Sequence, residues 1–200
     1  MTISQKPYAE SCDENAAPIL EVLSAKLPAS GELLEIGSGT GQHAIKFAQA
    51  LPDIVWHTSD MSHMHHGIQL WIDESRLPNL RSPYPLNVLT DAWPKQLFDA
   101  AFSANTAHIM SMDMVEGMFR GIASILKPSA PFLLYGPFIY DDIDTCESNI
   151  GFDSWLRSWQ SHQGIRHMAW LKEIAKKYGL YLDDDIDMPA NNRILIWRLE

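Results

Sequence analysis

Cysteine is scarce in this chain: Cys12 and Cys146 are the only two. Two cysteines do not build a disulfide framework, so a reducing compartment, the cytoplasm, is expected. Positive charge is also in short supply. Fifteen Lys and Arg face 25 Asp and Glu, a formal net charge of -10. That balance works against non-specific binding to nucleic acid or to an anionic membrane surface. No apolar run reaches the length of a membrane span, and the opening Met1-Thr2-Ile3-Ser4-Gln5-Lys6-Pro7 lacks the apolar centre of a secretory signal. Internal repeats, low-complexity tracts and linkers are missing too. Neither a nucleic-acid nor a membrane partner is expected.

What is present suits one soluble domain. The 200 residues are 46% hydrophobic and 20% charged, enough chain for a full core. We expect a single domain over residues 1–200, with an arm and helix in 1–28 and a sheet core in 29–200.

The organising stretch is Leu33-Leu34-Glu35-Ile36-Gly37-Ser38-Gly39-Thr40-Gly41. Its apolar members predict a buried parallel strand. The alternating glycines predict a tight turn with the backbone close to a ligand. Gln42 to Leu51 then shows helical spacing in Ala44, Ile45, Phe47, Ala48 and Leu51. Strand, glycine turn and helix N-terminus together make a nucleotide-type site. The dinucleotide pattern G-x-G-x-x-G would close at Gln42, which is neither glycine nor alanine. E-x-G-x-G-x-G, closing at Gly41, stands instead. This resembles the first motif of class I S-adenosylmethionine-dependent methyltransferases. There the glycine turn passes under the methionine part of the cofactor, and the acid, here Glu35, helps hold the loop. The resemblance implies S-adenosylmethionine as cofactor, with Gly37, Ser38, Gly39 and Gly41 around it.

The chain predicts an α/β, Rossmann-like fold. A polar arm over residues 1–17 precedes a helix opened by Pro18, with Ile19, Leu20, Leu23 and Leu27 inward. By resemblance, such an arm and helix fold over the cofactor. Ile54 to Thr58 is a second strand ending in Ser59-Asp60. Asp60 lies nineteen residues past Gly41, where nucleotide-binding folds use a carboxylate to accept both ribose hydroxyls; aspartate is also a good helix N-cap. Met61-Ser62-His63-Met64-His65-His66 opens the next helix. Its histidines and methionines invite a metal, but no cysteine or carboxylate cluster completes a tetrahedral set, so no metal is expected. The family resemblance sets Met61 along the adenine. Leu80 to Val88 holds Pro83 and Pro85 and predicts an edge or broken strand. Near its end methyltransferases often carry an acid toward the adenine amine. Asn87 stands there, beside Val88, with a side-chain oxygen that still accepts.

Phe98 to Asn105 is the fourth strand, beside the first at the topological switch point. Asn105 and His108 are polar residues in an apolar neighbourhood at its C-terminal end, and His108 is equally readable as a structural histidine. Ser111 caps a helix over 111–126. Pro131 to Phe138 is a fifth strand, followed by the acidic loop Asp141-Asp142-Ile143-Asp144, a solvated turn or a guide for a cationic substrate. Two further helices hold Phe152, Trp155, Leu156 and Trp159, and Leu171, Ile174, Ala175 and Tyr178. The strands at 180–188 and 193–199, joined by a short turn, must pair antiparallel. That gives a seven-stranded, mostly parallel sheet with a C-terminal antiparallel hairpin and helices on both faces. This hairpin marks the methyltransferase sheet.

A narrower resemblance covers nearly the whole chain. Lys6-Pro7-Tyr8 through Ser11, Asn15 and Pro18-Ile19-Leu20 carry it. So do Glu35 to Gly41 with His43, Ser59-Asp60, Asn105 through His108-Ile109, and Leu134 to Phe138. Gly164-Ile165-Arg166 and Met188-Pro189-Ala190-Asn191-Asn192 complete it. These are similar to the methyltransferase-like 26 family, catalogued as a domain of unknown function. Two departures are Asp13-Glu14, where a basic residue is expected, and Asn87.

Since the cofactor carries an activated methyl group, the protein must mainly align the acceptor and exclude water. A base is needed where the acceptor holds a proton. His108 is the first candidate base, with Tyr135 or Tyr8 orienting the acceptor. Ser103-Ala104-Asn105-Thr106 stands where amino-methylating enzymes carry Asn-Pro-Pro-Tyr, which disfavours adenine or glutamine nitrogen as acceptor. A small-molecule acceptor and a monomer or homodimer are expected. Two rival readings are a nicotinamide-dependent oxidoreductase, opposed by Gln42 and the hairpin, and a cofactor-binding protein without transfer activity.

Overall fold

A computed structural model describes residues 6–200; the expectation that Met1–Gln5 belongs to no secretory signal lies outside the described residues. The strand predicted around the glycine turn is β1, Gly31–Glu35. It pairs in parallel with β2, Ile54–Asp60, on one side and β4, Ala100–Ala104, on the other. The sheet continues outward from β2 to β3, Leu80–Pro85. From β4 it continues through β5, Pro131–Gly136, to the antiparallel β9, Asn192–Leu199, and β8, Leu180–Met188. The order is β3-β2-β1-β4-β5-β9-β8. It reverses between β2-β1 and β4-β5, so a crevice opens beyond the strand ends there.

Period-two alternation sorts the strand side chains onto two faces. Leu33, Phe102, Leu133 and Tyr135 join α1, Glu10–Lys26, and α2, Gln42–Ala50, in one buried cluster. Ile72 of α3, His65–Ser75, packs against it. Leu34, Ala101, Phe132 and Leu134 join α4, Met112–Ile125, and α6, Met168–Lys177, in the other. α5, Glu147–Trp159, buries Leu156 and leaves Trp155 and Trp159 exposed.

Four expectations need correction. The first helix begins at Glu10, so Pro18 lies inside it instead of in its first turn. An interior proline costs about 3 kcal/mol, and the buried Ala16, Ile19 and Leu23 offset that. The polar residues 10–15 hid this segment because they make no apolar stripe: Asp13 and Asn15 bond to α2, and Glu10, Ser11 and Glu14 are exposed. β3 stops at Pro85, leaving Asn87 and Val88 in the following loop. β4 covers only 100–104; Asn105 turns left-handed at φ 59, and Phe98 forms only a single bridge to Leu126. A small second sheet was not foreseen: β6, Phe138–Ile139, pairs in parallel with β7, Arg166–His167. Two-residue strands leave no periodic trace. Elsewhere, β3 is an edge strand and Ser111 caps α4 by accepting from the Met114 N–H at 3.3 Å, as predicted.

Helix propensity and packing oppose each other at Gly121 in α4. Alanine would gain about 1 kcal/mol of propensity, but its Cβ would overlap the Trp93 ring. We expect Gly121→Ala to lose about 1–3 kcal/mol net as Trp93 is displaced, seen as a lower melting temperature. A higher one would show that Trp93 moves freely.

Candidate active site

The turn after β1 is tied to the end of β2 atom by atom. Gly37 and Ser38 N–H both donate to Ser59 O, at 3.0 and 2.9 Å, and Gly39 N–H donates to Asp60 Oδ2 at 2.8 Å. The other Asp60 oxygen accepts from Met61 N–H at 2.7 Å. Glu35 lies beneath, 2% exposed, and its Oε2 accepts from Ser38 Oγ at 2.7 Å and Trp56 Nε1 at 3.1 Å. Burial pushes its pKa up to about 7, against the pull of those two donors. Burial also raises Asp60, opposed by its two backbone donors. The loop needs glycine for two reasons. A Cβ at Gly37 would stand 2.6 Å from Thr106 Cγ2, whereas at Gly39, φ 58, it would meet nothing within 4 Å. The space over Gly39 is therefore open, beside the Asp60 carboxylate.

The arm lies across this loop and the two helices behind it. Gln42, at the position where a dinucleotide motif needs glycine, takes Ala9 N–H on Oε1 at 2.7 Å and gives Nε2 to Ala9 O at 3.2 Å. Pro7 O accepts from Trp71 Nε1 at 2.9 Å, and Lys6 Nζ stands 3.9 Å from the Trp71 ring centre. Asp13, where a basic residue was expected, accepts from Lys46 at 2.6 Å, Gln42 at 3.3 Å and Tyr8 at 2.6 Å. Asn15 bonds His43 Nε2 at 2.7 Å and also the Tyr135 hydroxyl. Burial holds His43 down to about 4, with Lys46 adding to that.

The third wall is the loop after β4. Asn105 N–H donates to Tyr135 O at 2.9 Å. A Cβ built on Gly136 would stand 3.7 Å from His108 Nδ1 and 4.0 Å from Asn105 Oδ1. Asn105, His108 and the exit of β5 thus meet at the switch point. His108 is buried against the edge of Phe152, ring centres 5.2 Å apart. Burial, then Arg166, lowers its pKa to about 4, so the imidazole is neutral at physiological pH. Tyr135 faces the opposite cluster and is engaged with Asn15, so its hydroxyl and the His108 ring lie on different faces. Further along, a cavity of about 210 Å³ lies between the exit of β5 and the hairpin tip, lined by Phe138, Tyr140, Asp144, Asn149, Met188 and Asn191 among others.

A family model described as protein of unknown function, DUF938, matches residues 6–199. The chain belongs to the DUF938 family. Solved structures that resemble it include the mitomycin 7-O-methyltransferase MmcR, at 17% identity and TM-score 0.82, over 95% of this chain and 54% of that one. Another is CalO1, a methyltransferase in calicheamicin biosynthesis in its SAH-bound form, at 14% identity and TM-score 0.76, over 92% and 54%. A third is an O-methyltransferase family 2 protein from Planctomyces limnophilus DSM 3776 in complex with apigenin, at 14% identity and TM-score 0.79, over 93% and 56%. This chain spans about half the length of these structures, and at such identities the likeness establishes the Rossmann-like methyltransferase fold.

The other predicted site residues differ in freedom. Met61 is 40% exposed beside Asp60. Asn87 has its side-chain oxygen on Leu89 N–H at 3.1 Å, and Val88 is buried in the core. The His/Met run serves the loop: His65 Nε2 bonds Asp60 O at 2.9 Å. Among the described residues no three His, Cys, Asp or Glu side chains converge as a metal site would need. Sequence reasoning gave no role to Gln42, His43 or Arg166. The glycine-motif mismatch at Gln42 was one available signal; His43 and Arg166 stood within segments that carry the family resemblance, which did not say what they touch.

Glu35 makes stability depend on pH with an unusual sign. Its folded pKa, about 7, lies above the ordinary carboxylate value of 4.5. Its contribution is therefore fully present below about 4.5 and is lost as pH rises through 7. That difference is worth on the order of 3 kcal/mol. Glu35→Gln should gain melting temperature relative to the parent as pH rises from about 4.5 to about 7, and the gain should level off above that. A constant difference across that window would show that the parent carboxyl stays ionised.

Proposed function

We propose that this chain is an S-adenosylmethionine-dependent methyltransferase acting on a hydroxyl of a small molecule. The open space above Gly39, walled by Asp60, the arm and the post-β4 loop, carries this reading. The residues fit the cofactor chemically. Asp60 uses one lone pair on each oxygen for backbone N–H groups, and a carboxylate has about four such sites, so the ribose hydroxyls can be accepted there. Gly39 leaves room for the backbone to touch the methionine part. Met61 would lie beside the adenine, and Asn87 would stand at the same end, with a second lone pair on its Oδ1 available to the adenine amine; Val88, buried in the core, would support that loop from beneath. Asn105 borders the cofactor at the switch point. The similar structures, O-methyltransferases among them and one with SAH bound, support cofactor and reaction class alike. The segments shared with the methyltransferase-like 26 family support placing the chain with that group.

S-adenosylmethionine supplies a methyl group bonded to a positively charged sulfur. The protein's own work is to hold the acceptor oxygen in line and take its proton. His108 is neutral and has neither ring nitrogen in a hydrogen bond to another described residue, so it can receive that proton as the new O–C bond forms. Its acid limb in a pH–rate profile belongs near 4, not at the 6.5 of a free histidine. Tyr135 shapes the floor beneath the arm through Asn15. The acceptor enters from the exit of β5, where the 210 Å³ cavity lies. The two free cysteines and the acidic charge suit a cytoplasmic setting.

Calorimetric titration with S-adenosylmethionine and S-adenosylhomocysteine tests this directly. Both should bind, and Asp60→Ala should weaken both by about tenfold or more, 1.4 kcal/mol or above. Gly39→Val should remove binding by filling the open space. Binding of NADPH in their place would overturn the reading. Binding without methyl release to any hydroxyl, amine or thiol acceptor would leave a cofactor-binding protein without transfer.

A further inference from the structure

Arg166 is the most unusual charge in the molecule. It is 6% exposed, yet no carboxylate lies within ion-pair distance of it among the described residues. Its donors go to main-chain carbonyls instead. Nε donates to Ala107 O at 2.9 Å, and Nη2 donates to His162 O at 2.9 Å and to Met110 O. Gly164 N–H adds a bond to His108 O at 2.9 Å. Three carbonyls of the post-β4 loop, at 107, 108 and 110, are therefore held by one short strap, 164–166. The strap is fixed in turn. Ile165 N–H donates to Asp153 Oδ1 at 2.7 Å, and Asp153 pairs with Arg157 at 2.7 Å, both on α5. Arg166 also pairs with Phe138 across β6 and β7, directly after the exit of β5.

We propose that Arg166 is a positioning residue for His108: its guanidinium fork locks the loop 107–110 so that the imidazole stays at the β4–β5 crevice beside Asn105 and Gly136. This rests on the methyltransferase reading, in which His108 takes the acceptor proton. A single ammonium group could not serve carbonyls from two separate segments with fixed directions, whereas the planar fork can. The buried positive charge has a second effect. It adds to burial in keeping His108 unprotonated, and the groups around it are few: Arg166 from β7, the Asp153–Arg157 pair from α5, and the uncharged Phe152. Burying a guanidinium with no carboxylate beside it is costly, but an apolar side chain would leave the carbonyls of Ala107, Met110 and His162 without these donors.

The test compares the parent with Arg166→Lys and Arg166→Met, each as the full chain with S-adenosylhomocysteine as probe. The His108 ring titration and the exchange of the Gly164 amide are read by NMR. In Arg166→Met the His108 midpoint should rise by about one pH unit as the positive charge goes. Gly164 exchange should accelerate about tenfold or more as the strap loosens. Arg166→Lys keeps the charge and lacks the fork, so it should keep most of the depressed midpoint while matching the faster exchange. S-adenosylhomocysteine affinity should stay within about twofold in both. Unchanged titration and exchange in the variants would overturn the proposal, as would a loss of folding in both, which would make Arg166 a structural residue only. Failure of the parent to bind S-adenosylhomocysteine would count against the methyltransferase reading instead, with the His108 titration still deciding the role of Arg166.

Discussion

The bonds between the glycine turn and the end of β2 are the constraint on which the rest of the crevice depends. Three successive N–H groups, from Gly37 to Gly39, find their acceptors in Ser59 O and the Asp60 carboxylate. A buried turn cannot leave such groups unpaired without a cost of about 1–3 kcal/mol each. Satisfying them fixes the turn's height above the sheet and leaves the face over Gly39 open. It also explains why two carboxyl groups are tolerated in one small region. Asp60 is held by backbone donors, while Glu35, with only two side-chain donors and little water, drifts toward its protonated form.

The arm follows from the same turn. α2 begins at Gln42, immediately after Gly41, so its first side chains project toward whatever crosses the loop. Gln42 supplies both a donor and an acceptor, which matches the paired N–H and C=O of Ala9, and His43 adds Asn15. Those contacts carry the polar residues of α1 and connect, through Asn15, to Tyr135 on β5. The arm is thus part of the wall and not an appendage. On the far side Arg166 plays the corresponding part for the loop that bears His108.

Much of this architecture was legible before any coordinates. Apolar runs at β1, β4 and β5 read as buried strands because both their faces meet helices, and alternation then sorts Leu33 from Leu34. The hairpin was legible because Pro189–Asn192 is too short a link for a parallel crossover. What stayed hidden had short or polar signals. β6 and β7 have two residues each. In the first two turns of α1, Asp13 and Asn15 spend their side chains on one ion pair and two hydrogen bonds with α2. Asn87 sat at the right place in the chain, but its oxygen was already engaged with Leu89, a local competition that composition does not reveal. Tyr135 and His108 looked like partners at adjacent strand ends, but Tyr135 packs on the α1–α2 side of the sheet while His108, in the turn after β4, stands by Gly136 and Phe152.

The sequence by itself determined the fold class, the strand–glycine–helix site and the position of the acid after the second strand. These depend on local periodicity and on residues whose backbone preferences are strong. Only the tertiary structure decided which groups are buried together. That is why the neutral state of His108, the protonation of Glu35, the grip of Gln42 on the arm and the carbonyl-bound Arg166 appear only there. Each involves desolvation or partners as far as 21 to 59 residues away in the chain, distances over which no sequence period extends.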